Sequence, residues 1–237
     1  MPEVRPASST DLLEQLRAVG AQRYHDKHPF HLAMHEGRLT PEQLRGWVAN
    51  RYYYQKNIPV KDAAILSNLP DRDKRRVWIK RIINHDGTLE AGGGGLEQWL
   101  SLARAVGLSP EEVVAETRVA PGTRSAVDAY VTFARTQPWL PAVASSLTEL
   151  FAPDLMSKRV EALLANYPWI DPQGLEYFRR RVTLAAQDAD AALPWVLEGA
   201  ADPAMRDACV AALRFKCDVL WAILDATQAS YGIGPGS

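Results

Sequence analysis

The chain has 237 residues, with 27 Lys and Arg against 28 Asp and Glu, 47% apolar residues and 2 Cys. That length suits one large domain or two small ones and can bury a sizeable core without staples. A formal charge of −1 lacks the basic excess of a nucleic-acid binder, and no apolar run nears the roughly 20 residues that span a bilayer. The opening segment MPEVRPASSTDLLEQL carries no apolar stretch of a secretory signal. Cys209 and Cys217 share one expected helix and lie about 12 Å apart along it, too far for a disulfide. With neither an export signal nor a disulfide framework, the chain reads as cytoplasmic.

Start and stop signals divide the sequence into helices. Asp11, with Glu14 three residues on, opens a first helix through Leu16 and Val19. His28-Pro29 is a cap and first-position pair for a short second helix ending near Gly37. Thr40-Pro41-Glu42-Gln43 forms a capping box; its helix runs past Trp47 and Tyr54, with a kink expected at Pro59. Asp71 or Asp73 begins the next, which Gly87 ends. Residues 96–106 are helical and stop at Gly107, and Ser109-Pro110-Glu111-Glu112 reads as a second capping box. Further helices are expected over 122–136, 139–165 (bent near Pro153), 172–198 and 203–230, with Asp171-Pro172 opening the one before last. No segment alternates with period two between hairpin turns, so no sheet is expected. The glycine run of TLEAGGGG lacks the Lys-Ser or Lys-Thr of a phosphate loop. The expected fold is all-α: one domain over 1–231, a bundle of seven to nine helices, and a disordered tail over 232–237.

Several helix faces carry polar groups among apolar ones. After Thr40, the residues Leu44, Val48 and Ile58 share one side, and Arg51 and Gln55 fall in the middle of it. Taken alone, Arg51 reads either as half of an interior ion pair, for instance with Asp62, or as an arginine that reaches out to the edge of the bundle. In the next helix Trp78, Ile79, Ile82 and Ile83 form the apolar arc, with Arg81 and His85 one turn apart along its edge. Partly buried beside an arginine, His85 is expected to stay neutral and to suit general-base work. Tyr177 and Arg181 are again one turn apart; Glu149 sits between Leu147 and Leu150; Lys216 borders a stripe of Leu213, Leu220 and Leu224. Arg51, Arg81, Arg181 and Lys216 thus turn toward the core from four helices, with too few carboxylates to match them. The pattern points to a buried pocket for a small ligand carrying several carboxylates.

Four of the five histidines, His25, His28, His31 and His35, fall in one short window. No Glu stands in an HExxH or Glu-x-x-His relation to them, so caps and surface positions are expected rather than a metal site. No nucleophile elbow or dinucleotide fingerprint is present.

The segments RYHDKHPFHLAMHEG, LRGWVANRYYYQKNIPVKDAAI, RRVWIKRIINHDG, AVDAYVTFAR, SSLTELFAP, YPWI and LRFKCDVLWAILDA, in this order over about residues 10–231, resemble the pyrroloquinoline-quinone synthase family. The resemblance implies a haem-oxygenase-like bundle of about seven main helices, usually a homodimer. It implies an enzyme that uses no cofactor, with O2 as co-substrate. The implied reaction closes a ring in 3a-(2-amino-2-carboxyethyl)-4,5-dioxo-hexahydroquinoline-7,9-dicarboxylate and oxidises it to pyrroloquinoline quinone, releasing H2O2. By matching motif, Tyr24, His25, Arg51, Gln55, Lys61, Arg81, Tyr130, Glu149, Arg159 and Lys216 are the implied substrate contacts. His85 is the implied acid/base and, with Tyr177 and Arg181, forms the implied oxygen-handling core. Met156 and Ala191 stand where the family usually carries histidines, and the glycines at 92–95 replace a commoner acidic run. A thioether neither relays a proton nor donates a hydrogen bond, but the acid/base core is intact, so activity is expected to survive, with a reduced rate or a shift in which proton step limits it. Two other readings are a metal-dependent oxygenase of the same bundle and a protein that binds the quinone without consuming O2.

Overall fold

Punctuation by Thr, Asp, Pro and Gly cuts the chain where the sequence leads one to expect. The computed structural model describes residues 9–90 and 93–233. It places eleven α-helices in them: α1 Ser9–Arg23, α2 Pro29–His35, α3 Pro41–Asn68, α4 Arg72–Asp86, α5 Gly95–Ala105, α6 Pro110–Val114, α7 Pro121–Thr136, α8 Trp139–Ser145, α9 Ala152–Asn166, α10 Glu176–Gly199 and α11 Pro203–Tyr231. Eight of these have eleven or more residues. The described residues contain no strand longer than a single bridge. Of the expected tail, Gly232 closes α11 and residues 234–237 lie outside the described residues, as do 91–92 of the glycine run.

The caps form as the residue types dictate. Thr40 and Gln43 exchange both bonds of the capping box at the start of α3. The His28 ring accepts from Phe30 N ahead of Pro29, Asp71 caps α4 through Lys74 N, and Ser109 accepts from Glu112 N. Helix α3 continues past Pro59, whose missing N–H costs one backbone bond but does not end it. The stretch expected as one helix over 139–165 is instead α8, a 3-10 turn over Ser146–Leu150, and α9. That turn re-aims Glu149.

Helix α3 is the central post. It packs against α4, α5, α7 and α11, while α10 lies against α8 and α9. Trp47, Trp99 and Phe178 lock α3, α5 and α10 together, with ring centroids 5.6–6.2 Å apart. Trp99 Nε1 donates to Val48 O at 3.0 Å, so this aromatic corner leaves its polar atom paired. Asn50, wholly buried, donates to Gly46 O and Arg118 O and accepts from Ala120 N and the Thr123 hydroxyl. It pins α3 to the start of α7, with every capacity of its amide used. Gly46 is required there, since a Cβ would lie 2.5 Å from the Tyr231 ring.

Candidate active site

The chamber sits at the middle of α3, where α4, α10, α11 and the 3-10 turn converge on it. Its cavity is about 50 Å3, well below the roughly 300–1,000 Å3 of small-molecule sites, so its walls must move apart to admit a ligand. Its wall holds Tyr24, His25, Arg51, Arg81, His85, Glu149, Tyr177 and Arg181, all expected from the sequence. Gln55, Lys61 and Lys216 stand one contact behind that wall, against His85, Asp62 and Tyr54, and Tyr130 and Arg159 are not on it either. Tyr54, Asp62, Thr148, Met156 and Asp188 line it without having been singled out as site residues. Tyr24 is also the shared wall of an outer cleft between α1, α2 and α9.

On α4 the inward face differs from the expected one. Trp78, Arg81 and His85 are buried, at spacings of three and four, whereas Ile79 and Ile83 are each 42% exposed. The polar residues hold the core face and two isoleucines hold the outside. A carboxylate cluster explains how Arg81 is tolerated there. Its Nε donates to Asp62 Oδ1 at 3.3 Å, its Nη2 to Glu149 Oε1 at 3.2 Å, and its Nη1 lies 3.0 Å from Asp188 Oδ2. Arg181 meets Glu149 at 2.6 Å and Asp188 at 3.3 Å. Lys61 Nζ donates to Asp62 at 2.6 Å and to the Ser146 hydroxyl. Burial alone would discharge these groups, but their partners outweigh it: Asp62 and Glu149 are held below the usual carboxylate range, and Arg81 and Arg181 above the usual guanidinium value.

Two expectations are therefore corrected. Asp62 pairs with Lys61 and Arg81, not with Arg51. Arg81 and Arg181 do not want for carboxylates, because Asp188, two turns along α10 from Arg181, supplies the missing one. The signal for it was available, since positions 181 and 188 share a helix face.

The remaining cations are different. Among the described residues Arg51, Arg159 and Lys216 form no ion pair. The Arg51 guanidinium lies 4.1 Å from the Tyr54 ring centroid, and its buried Nη1 has no hydrogen-bond partner. Lys216, only 1% exposed, donates to the Tyr54 hydroxyl at 2.6 Å and sits 3.8 Å from the Tyr130 ring centroid. Arg159 rests between Trp47 and Phe178 and reaches the His31 ring at 3.2 Å. Burial, and then repulsion from Arg51, draws Lys216 well below the usual lysine value and Arg159 down to about 9. Arg51 on the chamber wall, and Lys216 and Arg159 behind it, are thus buried cations to which the described residues offer no counter-charge.

His85 closes the last turn of α4, which Gly87 ends at φ 90°. Its Nε2 is 3.1 Å from Gln55 Oε1, which also accepts from the Tyr177 hydroxyl at 2.9 Å. A carbonyl oxygen carries no proton, so Nε2 is the donor and Nδ1 the basic atom. Turning the Gln55 amide over would reverse this and make Nε2 the acceptor. Burial, followed by the Arg181 charge, holds His85 down at about 3, so the imidazole is neutral at pH 7. The expected neutral histidine is present.

Of the other histidines, His28 is the expected cap and His25 the expected chamber residue, whereas His31 does not lie on the surface. His25, His28 and His31 are buried, and His35 is half-buried. His25 lines the chamber, His28 caps α2 and meets Asp225 at 3.0 Å, and His31 Nδ1 donates to His25 O at 2.9 Å. Among the described residues no group of three or more His, Cys, Asp or Glu side chains is arranged to hold a metal ion.

Solved structures share this architecture. A domain with a haem-oxygenase-like fold from Shewanella denitrificans superposes with a TM-score of 0.78 at 15% identity, over 96% of this chain and 94% of that one. A TenA homologue from Pseudomonas syringae pv. tomato does so at 0.75 and 13%, over 97% of both chains. The molecule is thus a haem-oxygenase-like helical bundle enclosing a cation-lined chamber. Its residues 13–226 match the model of the TENA/THI-4/PQQC family, and the chain belongs to that family. Among its relatives, the pyrroloquinoline-quinone synthase of Granulibacter bethesdensis is 51% identical over 98% of this chain and 91% of that protein. That of Ruegeria pomeroyi is 53% identical over 94% and 92%.

Proposed function

We infer that this chain performs the last step of pyrroloquinoline quinone biosynthesis, closing the ring of the tricarboxylate precursor and oxidising it with O2, with release of H2O2. The observation that carries the reading is the set of buried, unpaired cations, Arg51, Arg159 and Lys216, in a chain half identical to named synthases. A polycarboxylate is the ligand class that would satisfy them.

The chemistry assigned to each residue follows from its surroundings. Charge–charge contacts in a buried site are strong, so the unpaired cations fix the carboxylates and lower the cost of developing negative charge on the rings. His85, neutral and oriented by Gln55, moves protons at the reacting carbons. Electrons pass from the substrate itself to O2 beside Tyr177 and Arg181, where the guanidinium favours a reduced, anionic oxygen species. In this reading no resident cofactor takes part. Met156 contributes shape to the wall but no proton.

The chain is proposed to work in the cytoplasm as a homodimer. No helix of the described residues is long and apolar enough to cross a membrane. Val60 on α3 and Ile79 and Ile83 on α4 leave exposed apolar surface on two helices that pack together, a face suited to a second copy. An oxygen electrode tests the activity: the authentic precursor should cause O2 uptake with formation of the quinone. Tight binding of pyrroloquinoline quinone with no O2 uptake would make the chain a binding protein, and stoichiometric bound iron would make it a metal oxygenase.

A further inference from the structure

On one wall of the chamber two carboxylates and two guanidiniums alternate in a closed ring. Glu149 bridges Arg81 and Arg181 at 3.2 and 2.6 Å. Asp188 bridges the same two arginines through Oδ2, at 3.0 and 3.3 Å. Asp62 and Lys61 extend the ring behind Arg81. Three carboxylates and three cations make the set neutral. A polycarboxylate gains little from a neutral wall, and gains much more from one that has given up a carboxylate.

The three carboxylates are not held alike. Asp62 has no exposed surface and takes a 2.6 Å bond from Lys61. Glu149 takes one of the same length from Arg181. Asp188 has the looser contacts: Arg81 Nη1, which faces it, makes no aligned hydrogen bond, and its contact with Arg181 exceeds the about 2.7–2.9 Å of charge-assisted pairs. Its side chain is 11% exposed and lines the chamber. Burial raises its carboxyl against the pull of Arg81 and with the push of Glu149, whereas the other two carboxyls are held low.

We propose that Asp188 is a positioning residue that occupies the place of a ligand carboxylate on Arg81 and Arg181, and yields that place when a polycarboxylate binds. The charged groups facing it are Arg81 from α4, Glu149 from the 3-10 turn, Asp62 from α3 and Arg181 on its own helix. On yielding, Asp188 breaks its contacts with the arginines and takes a proton from solvent. The two guanidiniums, still braced by Glu149, keep their orientation and gain a net positive charge toward the ligand. The proposal rests on the chamber being a polycarboxylate site.

The test is calorimetric titration of the wild-type chain and Asp188→Asn with pyrroloquinoline quinone, each in two buffers of different ionisation enthalpy. His25 and His85 also line the chamber and can take up protons, so the difference between the two proteins is the reading. The asparagine variant should bind while taking up fewer protons, by up to about one, and its Kd should vary with pH less steeply, by up to about tenfold per pH unit. A merely structural aspartate would instead give weaker binding with an unchanged proton count, and that result would overturn the proposal. Should the asparagine variant not fold, Asp188→Ser is read the same way. Failure of the wild-type chain to bind the quinone would sink the polycarboxylate chamber itself, and this inference with it.

Discussion

Arg81 and Arg181 are surrounded by carboxylates, whereas Arg51, Arg159 and Lys216, in the same core, meet aromatic rings, a hydroxyl and an imidazole but no carboxylate among the described residues. Both groups are buried, so both bear the cost of leaving water. In the first, the protein itself supplies the counter-charge, and the result is a braced scaffold around His85 and Tyr177. In the second it supplies none, and the desolvation cost is left standing until an anion arrives. The contrast separates residues that hold the site's shape from residues that hold its ligand.

The largest effect should come from the group both regions serve. His85→Ala should still bind the precursor under anaerobic conditions and then fail to form quinone when O2 is admitted, with the rate down by about 100- to 10,000-fold in stopped-flow absorbance. Normal turnover would remove His85 as the base. Next, Glu149→Gln strikes the compensated group and leaves two buried guanidiniums short of a partner. It should lower folding stability by about 3–5 kcal/mol in denaturant titration; an unchanged midpoint would mean that the ring is not a brace.

A smaller effect follows from pH. His25, His31 and His85 are held below the ordinary value of 6.5, chiefly by burial. Below that value the unfolded chain binds protons that the folded chain refuses, so stability falls as pH drops. Each such histidine contributes about 1.4 kcal/mol per pH unit until its folded value is reached. Thermal melts without ligand should show this decline below about pH 6.5, and bound pyrroloquinoline quinone should offset part of it, since an anion favours the charged imidazoles. The smallest change is Met156→His, which puts a proton donor into the wall; it should alter the turnover rate by no more than about tenfold.

Much of this was readable from residues alone, because helix ends are local. Thr40-Pro41-Glu42-Gln43 and His28-Pro29 announce their helices, and the inward turn of Arg51, Gln55 and Lys216 follows from their spacing among leucines and valines. Two things were not readable. Helix α4 has apolar residues on both faces, and which face turns inward depends on the carboxylates that await Arg81 on other helices. Likewise Glu149 enters the chamber only because residues 146–150 tighten into a 3-10 turn, and its partners lie 68 and 32 residues away. Charge balance between distant helices is a property of the fold, and a spacing argument within one helix does not reach it.

The assignment of Arg51, Arg159 and Lys216 as the ligand's seat is tested most directly by Lys216→Met, measured for quinone affinity and for melting temperature without ligand. The charge that is lost should weaken binding by about 1.5–3 kcal/mol, tenfold or more. The same change should raise the melting temperature, because an unpaired buried cation is replaced by an apolar side chain of similar length. Unchanged affinity, or a lower melting temperature, would contradict the account.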